Sequence, residues 1–205
     1  MRLRTAFCDL EVVLPGILTE ADVLELFEKC GALLQGHFRL ASGLHSDVYF
    51  EKAQVLQYPR NVELLCSEIA RRFAEEGVQV VIGPTTPGVI IAYETAKALD
   101  CRAIFAEKEG NRRVLRRGFT ISPGEKVLVV DDVLTTGGSV RDVLDLVVLN
   151  RGDVVGIGVL VDRSTGVDFG VRLEALAKVS APAFTPEQCP LCREGVPLVR
   201  PGSSS

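Results

Sequence analysis

Four short apolar runs, Val78–Ile82, Cys101–Ala106, Lys126–Val130 and Val154–Val161, punctuate the middle and later parts of the chain. They are brief, rich in β-branched residues and without polar alternation, the pattern of strands covered on both faces. Helical patterns at Gly88–Leu99 and Ser139–Leu149 separate them, the second followed by Gly152 as a stop signal. Strand–helix–strand repetition of this kind predicts an α/β fold, a parallel sheet with helices on both faces. Ligands of such sheets bind beyond the carboxyl ends of the strands. The segments there, Gly83–Gly88, Glu107–Gly110, Asp131–Ser139 and Asp162–Ser164, are predicted to converge on one site.

The third of these carries the most chemistry. An apolar strand runs into Asp131 and Asp132, then Val133 and Leu134, then Thr135-Thr136-Gly137-Gly138-Ser139. Backbone N–H groups of a glycine-rich turn, with the start of the following helix, make an anion site suited to a phosphate monoester. The adjacent carboxylates can accept hydrogen bonds from vicinal sugar hydroxyls and favour a hard Mg²⁺ brought in by a pyrophosphate. An ordinary strand, acidic cap and glycine turn would explain neither the acid pair nor the run of hydroxyls. A phosphorylated sugar explains both.

Upstream, Thr19 and Asp22 form a capping-box pattern, and Val23, Leu24, Leu26, Phe27, Leu33 and Leu34 recur at helical spacing, predicting a first helix that ends near Gly36. Phe38–Gly43 and Ser46–Phe50 read as a hairpin, and Arg60–Glu76 as a helix stopped by Gly77. The 205 residues fit a single domain without internal repeats, and the Ser203–Ser205 tail is predicted to fray. A net charge of −4, from 23 basic and 27 acidic residues, argues against a general nucleic-acid surface, although Arg112, Arg113, Arg116 and Arg117 cluster. No apolar run approaches the roughly 20 residues that span a bilayer. Acids interrupt the apolar part of the basic N-terminus, which argues against a signal peptide, so a cytoplasmic location is expected.

Cys8, Cys30, Cys66 and Cys101 are scattered among apolar or helical patterns and read as small core residues. Cys189-Pro-Leu-Cys192 offers two zinc ligands, but no histidine follows His45 and a closed site would need distant partners. A tight tail turn without stoichiometric zinc is the expectation. His37 and His45, the only histidines, have no spaced partner and read as neither metal ligands nor general bases; His37 ends the first helix or joins the hood described below, and His45 lies in the hairpin turn.

Lys126–Ser139 resembles the 5-phosphoribosyl 1-diphosphate (PRPP) signature of type I phosphoribosyltransferases. From about Ala21 to Gly202 the chain resembles the orotate phosphoribosyltransferase family, on Gly31-Ala-Leu-Leu, Gly36-His-Phe, Ser42-Gly43, Phe105-Ala-Glu-Lys108-Glu, Leu115-Arg-Arg-Gly118-Phe, Val130-Asp-Asp-Val and Val161-Asp162-Arg163. The tail from Cys189 to Gly202 resembles that of one bacterial and archaeal branch. The resemblance implies the type I fold, with a core at about 60–180 and a hood built from about 19–56 and the C-terminal tail. It implies transfer of phosphoribosyl from PRPP to orotate, with Mg²⁺, giving orotidine 5′-phosphate and pyrophosphate in UMP synthesis. Asp131, Asp132 and Lys108 would be catalytic, and Asp131, Asp132, Val133, Leu134, Thr135, Thr136, Gly137, Gly138, Ser139 and Lys108 would bind PRPP. Thr135 and Arg163 match orotate-binding positions; a strand-end arginine paired with Asp162 is the rival reading of Arg163. Lys108–Gly118 matches a mobile loop that closes over the neighbouring subunit's site in a homodimer.

Three positions depart from the pattern: Ala41 and Glu107 stand where basic residues are common, and Pro87 where a pyrophosphate-binding lysine is common. A purine or xanthine phosphoribosyltransferase is the alternative enzyme. A PRPP-sensing regulator is the non-enzymatic one, for which the first eighteen or so residues are too few and too weakly basic to form a winged helix.

Overall fold

The computed structural model describes residues 17–40, 43–110, 112–180 and 182–201. The readings made for the N-terminal segment with Cys8, for Ala41, Ser42 and Asn111, and for the Ser203–Ser205 tail lie outside the described residues. In chain order the elements are α1 (Glu20–Lys29), β1 (Leu33–Arg39), β2 (His45–Phe50), α2 (Ala53–Leu56), α3 (Pro59–Arg72), β3 (Val80–Pro84), α4 (Pro87–Leu99), β4 (Arg102–Glu109), β5 (Arg112–Val114), β6 (Lys126–Leu134), α5 (Gly138–Leu149), β7 (Asp153–Asp162), β8 (Leu173–Lys178), β9 (Ala183–Phe184) and α6 (Pro190–Arg193).

The larger sheet has the order β5-β4-β3-β6-β7-β8. All its pairings are parallel except that of β5, which returns antiparallel along β4. Successive parallel strands therefore run outward one way from β3 to β4 and then the other way from β6 to β8, with the reversal between β3 and β6. A crevice opens at the carboxyl end of a doubly wound sheet where the strand order reverses. Here that point is flanked by Pro84 and by the Asp131–Asp132 pair.

The apolar runs sit at the centre because neighbouring side chains on a strand face opposite sides of the sheet. Leu128 and Val130 pack with Leu65, Ile69 and Phe73 from α3 and its end and with Ile91 and Ala92 of α4. Val127 and Val129 pack with Val140, Val143 and Val147 of α5. Each such aliphatic side chain contributes roughly 1.5–3 kcal/mol on full burial. The two layers hold the ends of β3 and β6 against helices on both faces.

The first helix is shorter than its apolar spacing predicts. The capping box at Thr19 and Asp22 is present, but α1 stops at Lys29. Gly31 takes φ +67°, its N–H bonds Glu28 O, and Ala32 N–H reaches back to Phe27 O, the paired closure of a Schellman motif. Leu33 and Leu34, whose spacing continued the helical stripe, instead open β1. The expected Arg60–Glu76 helix likewise ends at Arg72, followed by a 3₁₀ turn over Ala74–Glu76 and left-handed Gly77.

A second, antiparallel sheet has the order β1-β2-β9 and lies within the segments expected to build the hood. The C-terminal tail completes it: β9 pairs with β2 through His45↔Phe184 and Ser46↔Ala183, and Val199 lies beside Phe38.

Candidate active site

Asp131 and Asp132 are the last acids of a buried strand and are themselves almost wholly buried. The N–H of Asp132 donates to Asp131 Oδ1 at 2.9 Å, and the N–H of Val133 to Asp132 Oδ1 at 2.6 Å. Burial, reinforced by the neighbouring charge of Asp132, pushes Asp131 up to about 7. Lys52, the residue before α2, extends its ammonium to Asp132 Oδ2 at 2.8 Å. Burial opposes charge on Lys52, but Asp132 and then Asp131 outweigh it and hold the lysine above its usual range. The sequence reading missed Lys52. Its local signal is weak, a single cation behind the apolar end of β2, and only the approach of the hood to β6 gives it a partner.

Beyond the acids, Thr135 and Thr136 are exposed and Gly137 is the N-cap of α5 at φ +79°, with no side chain capping the helix. The first-turn N–H groups of a helix have no intrahelical acceptor, and a helix start left uncapped is disposed to bind an anion. A side chain at Gly137 would place its Cβ 2.8 Å from the Phe169 ring, so the turn also requires glycine for space.

The first part of the segment predicted as a mobile loop belongs to strands β4 and β5, which pair antiparallel with Lys108 facing Arg113. Lys108 is exposed. Arg113 reaches into the site: one guanidinium nitrogen donates to Thr85 Oγ1 at 3.0 Å and to the carbonyls of Thr85 and Ala106 at 3.3 Å, the other to Ser139 Oγ at 3.3 Å. It thereby joins the ends of β3 and β4 to the start of α5. Arg116 and Arg117 turn instead to Glu109 and Glu107, the latter pair at 2.7 Å. Glu107, a departure in the sequence, is thus an ion-pair partner on the hairpin.

Arg163 lies at the end of β7, its N–H bonded to Leu134 O at 2.8 Å, so the β6 and β7 termini are held together. Its guanidinium sits 5.2 Å from the centre of the Phe50 ring. Burial lowers its proton affinity, more than the charges of Asp47 and Tyr49 restore. Its Nε is buried and has no hydrogen-bond partner among the described residues. The rival pairing with Asp162 is not formed; that carboxylate accepts from Ser164 N–H at 2.8 Å.

Cys66 is a buried core thiol pushed up to about 12 by burial, while Cys30 and Cys101 are half-buried. Cys189 and Cys192, expected to lack further ligands, meet His37 and His45: the four donor atoms lie within 4.8 Å of one another. The absence of a histidine downstream concealed this, because the partners come from β1 and β2 at the other end of the chain. His37 is therefore inside a strand rather than at a helix end, and His45 begins the second strand of the hairpin.

A switch-point crevice bearing an acid pair and an uncapped helix start, in a doubly wound sheet, is the architecture of a type I phosphoribosyltransferase, and the chain's similarities agree. The family model described as phosphoribosyl transferase domain matches residues 52–170. The orotate phosphoribosyltransferase of Pelotomaculum thermopropionicum is 55% identical over 91% of this chain and 98% of its own length. That of Desulforamulus reducens is 52% identical with the same coverage, 91% and 98%. Among solved structures, orotate phosphoribosyltransferase from Aeropyrum pernix superposes with a TM-score of 0.66 at 28% identity, over 77% of this chain and 93% of that one. The chain belongs to the orotate phosphoribosyltransferase family.

Proposed function

We infer that the protein transfers the 5-phosphoribosyl group of PRPP to orotate, releasing pyrophosphate and forming orotidine 5′-phosphate for UMP synthesis. A ring nitrogen of orotate bonds to the anomeric carbon as its bond to the pyrophosphate oxygen breaks. Charge develops on the sugar and the leaving group, so the protein's work is to orient reactants and offset charge; no side chain need act as nucleophile. The start of α5, from Thr135 to Ser139, suits the 5′-phosphate, while Asp131 and Asp132 suit the ribose hydroxyls. Lys108 and Arg113, on the β4–β5 hairpin, suit the pyrophosphate.

The observation that carries the choice of base is Arg163. A guanidinium stacked on Phe50, carried by a residue whose backbone is tied to the carboxyl end of β6 and with one nitrogen that finds no partner among the described residues, suits a planar anion. Orotate supplies a carboxylate on a planar ring, and Thr135 stands on the neighbouring strand end to assist. Purines carry no carboxylate and would offer this guanidinium only neutral carbonyl or ring-nitrogen acceptors, without the charge-assisted contact, which disfavours the purine and xanthine alternatives. The adjacent carboxyl oxygens of Asp131 and Asp132 also suit Mg²⁺, whose charge would offset the burial and mutual repulsion that oppose ionisation of Asp131: held near the pair with PRPP, the ion would supply charge neutralisation for the departing pyrophosphate.

We also propose a cytoplasmic homodimer in which the β4–β5 hairpin serves a neighbouring site. Ile90 and Tyr93 lie one turn apart and exposed on α4, as a subunit contact would use them. No helix among the described residues is long and apolar enough to cross a membrane.

The test is pyrophosphate release from PRPP with orotate, hypoxanthine, xanthine or uracil as acceptor. Turnover confined to orotate is expected. Preference for a purine would overturn the assignment of Arg163, and PRPP binding without turnover on any base would favour a sensor.

A further inference from the structure

We propose that His37, His45, Cys189 and Cys192 form a closed structural site for Zn²⁺, which staples the C-terminal tail to the N-terminal hairpin of the hood. His37 Nε2 lies 3.0 Å from His45 Nδ1, 3.4 Å from Cys189 Sγ and 3.6 Å from Cys192 Sγ, and His45 Nδ1 lies 3.2 Å from Cys192 Sγ. Zinc bonded to nitrogen at about 2.0–2.1 Å and to sulfur at about 2.3 Å in a tetrahedron sets ligand-to-ligand edges of roughly 3.3–3.8 Å. Four of the six donor-to-donor distances thus already stand near such edges, and all six lie within 4.8 Å.

Three further features point to a cation. His37 Nδ1 is 2.8 Å from the carbonyl oxygen of Val196, an acceptor that places the ring proton on Nδ1 and leaves the Nε2 lone pair aimed into the cluster. Metal-bound histidines are held in this way, by a backbone acceptor on the far nitrogen. Secondly, His37, His45 and Cys189 are buried, where water cannot satisfy converging lone pairs and a divalent ion can. Thirdly, two thiolates with two imidazoles are the donor set that zinc takes in closed four-coordinate sites.

The placement explains what the site would do. The hood sheet is small, with β9 only two residues long, so its apolar burial is limited and a metal would add the missing cohesion. Cys189 and Cys192 lie about α6, and His37 and His45 on β1 and β2, so the ion would close a loop spanning up to 155 positions of the chain. Strand β2 leads directly to Phe50 and Lys52, which contact Arg163 and Asp132. Stapling the hood would therefore hold two site residues in position.

The experiment is elemental analysis of untagged protein grown in zinc-containing medium, with thiol titration of the same sample. About one zinc per chain is expected, falling at least 10-fold in both Cys192→Ser and His45→Ala and unchanged in Cys66→Ala. Cobalt loaded into the metal-stripped protein should show the visible bands of tetrahedral Co²⁺ with a thiolate charge-transfer band. Less than about a tenth of a metal per chain, both as purified and after zinc is added to the reduced protein, would overturn the proposal. So would a Cys189–Cys192 disulfide in freshly purified protein. Should the variants fail to fold, the wild-type metal content and cobalt spectrum decide alone, and neither readout depends on which base the enzyme uses.

Discussion

Asp131 occupies a position where ionisation is unfavourable, enclosed by the sheet and beside Asp132, and its carboxyl is pushed up to about 7 from an ordinary 3.8. Between those values the folded chain keeps a proton that the unfolded chain has released. Stability contributed by this group is therefore present at acid pH and lost as pH rises towards 7. Asp131→Asn stays neutral throughout, so in thermal melts without ligand its Tm should match wild type near about pH 4 and exceed it by a few degrees near about pH 8. Equal Tm differences at both pH values would show that the carboxyl is not strained by burial. The same variant should lose on the order of 10²-fold in turnover, because ribose positioning is lost while the fold is kept. At Arg163 the expectation is selective. Arg163→Ala removes a charge-assisted contact worth roughly 1.5–3 kcal/mol, so orotate binding should weaken about 10- to 100-fold while PRPP binding holds, as titration calorimetry would measure. Equal weakening of both ligands would mean that the side chain supports the strand ends instead.

At the scale of elements, the hairpin β4–β5 does what a local reading of its charges could not assign. Four arginines in one short segment look alike in sequence, yet two are spent on Glu107 and Glu109 while Arg113 crosses to Thr85 and Ser139. The neighbouring turn into α4 has Pro87 at its first helical position, and Arg113 brings to that turn the positive charge which Pro87 lacks. Arg113→Ala should raise the KM for PRPP about 10-fold with little change in the KM for orotate, whereas Arg117→Ala should alter neither; steady-state kinetics at varied PRPP would separate them. Element boundaries were legible where a local rule acted alone. The continuous apolar strands declare themselves, as does the capping box of α1. The stop at Gly31 was available too, but Leu33 and Leu34 fell by coincidence on the helical stripe and masked it. Strand β8, Leu-Glu-Ala-Leu-Ala-Lys, has weak intrinsic preference for extension and becomes a strand because the edge of β7 offers it parallel hydrogen bonds.

For the whole molecule, the placement of Lys108 on an exposed hairpin at the sheet edge raises the question of which subunit it serves. With sites shared between subunits, Lys108→Ala and Asp132→Asn proteins, each inactive, should regain activity when mixed, to about a quarter of wild type for random exchange and independent sites. Absence of recovery despite exchange shown by mass spectrometry would place Lys108 in its own chain's site. The sequence by itself determined the parallel sheet, the acid pair and the glycine-rich turn that opens α5, because each depends on residues contiguous in the chain whose burial pattern and hydrogen-bonding capacity are local properties. Only the tertiary structure decided that Lys52 meets Asp132, that Arg113 bridges three elements, and that two histidines near one end face two cysteines near the other. Those meetings depend on the order in which strands assemble and on which edge accepts the returning tail, and pairings across 7 to 155 positions leave no periodic trace in the chain.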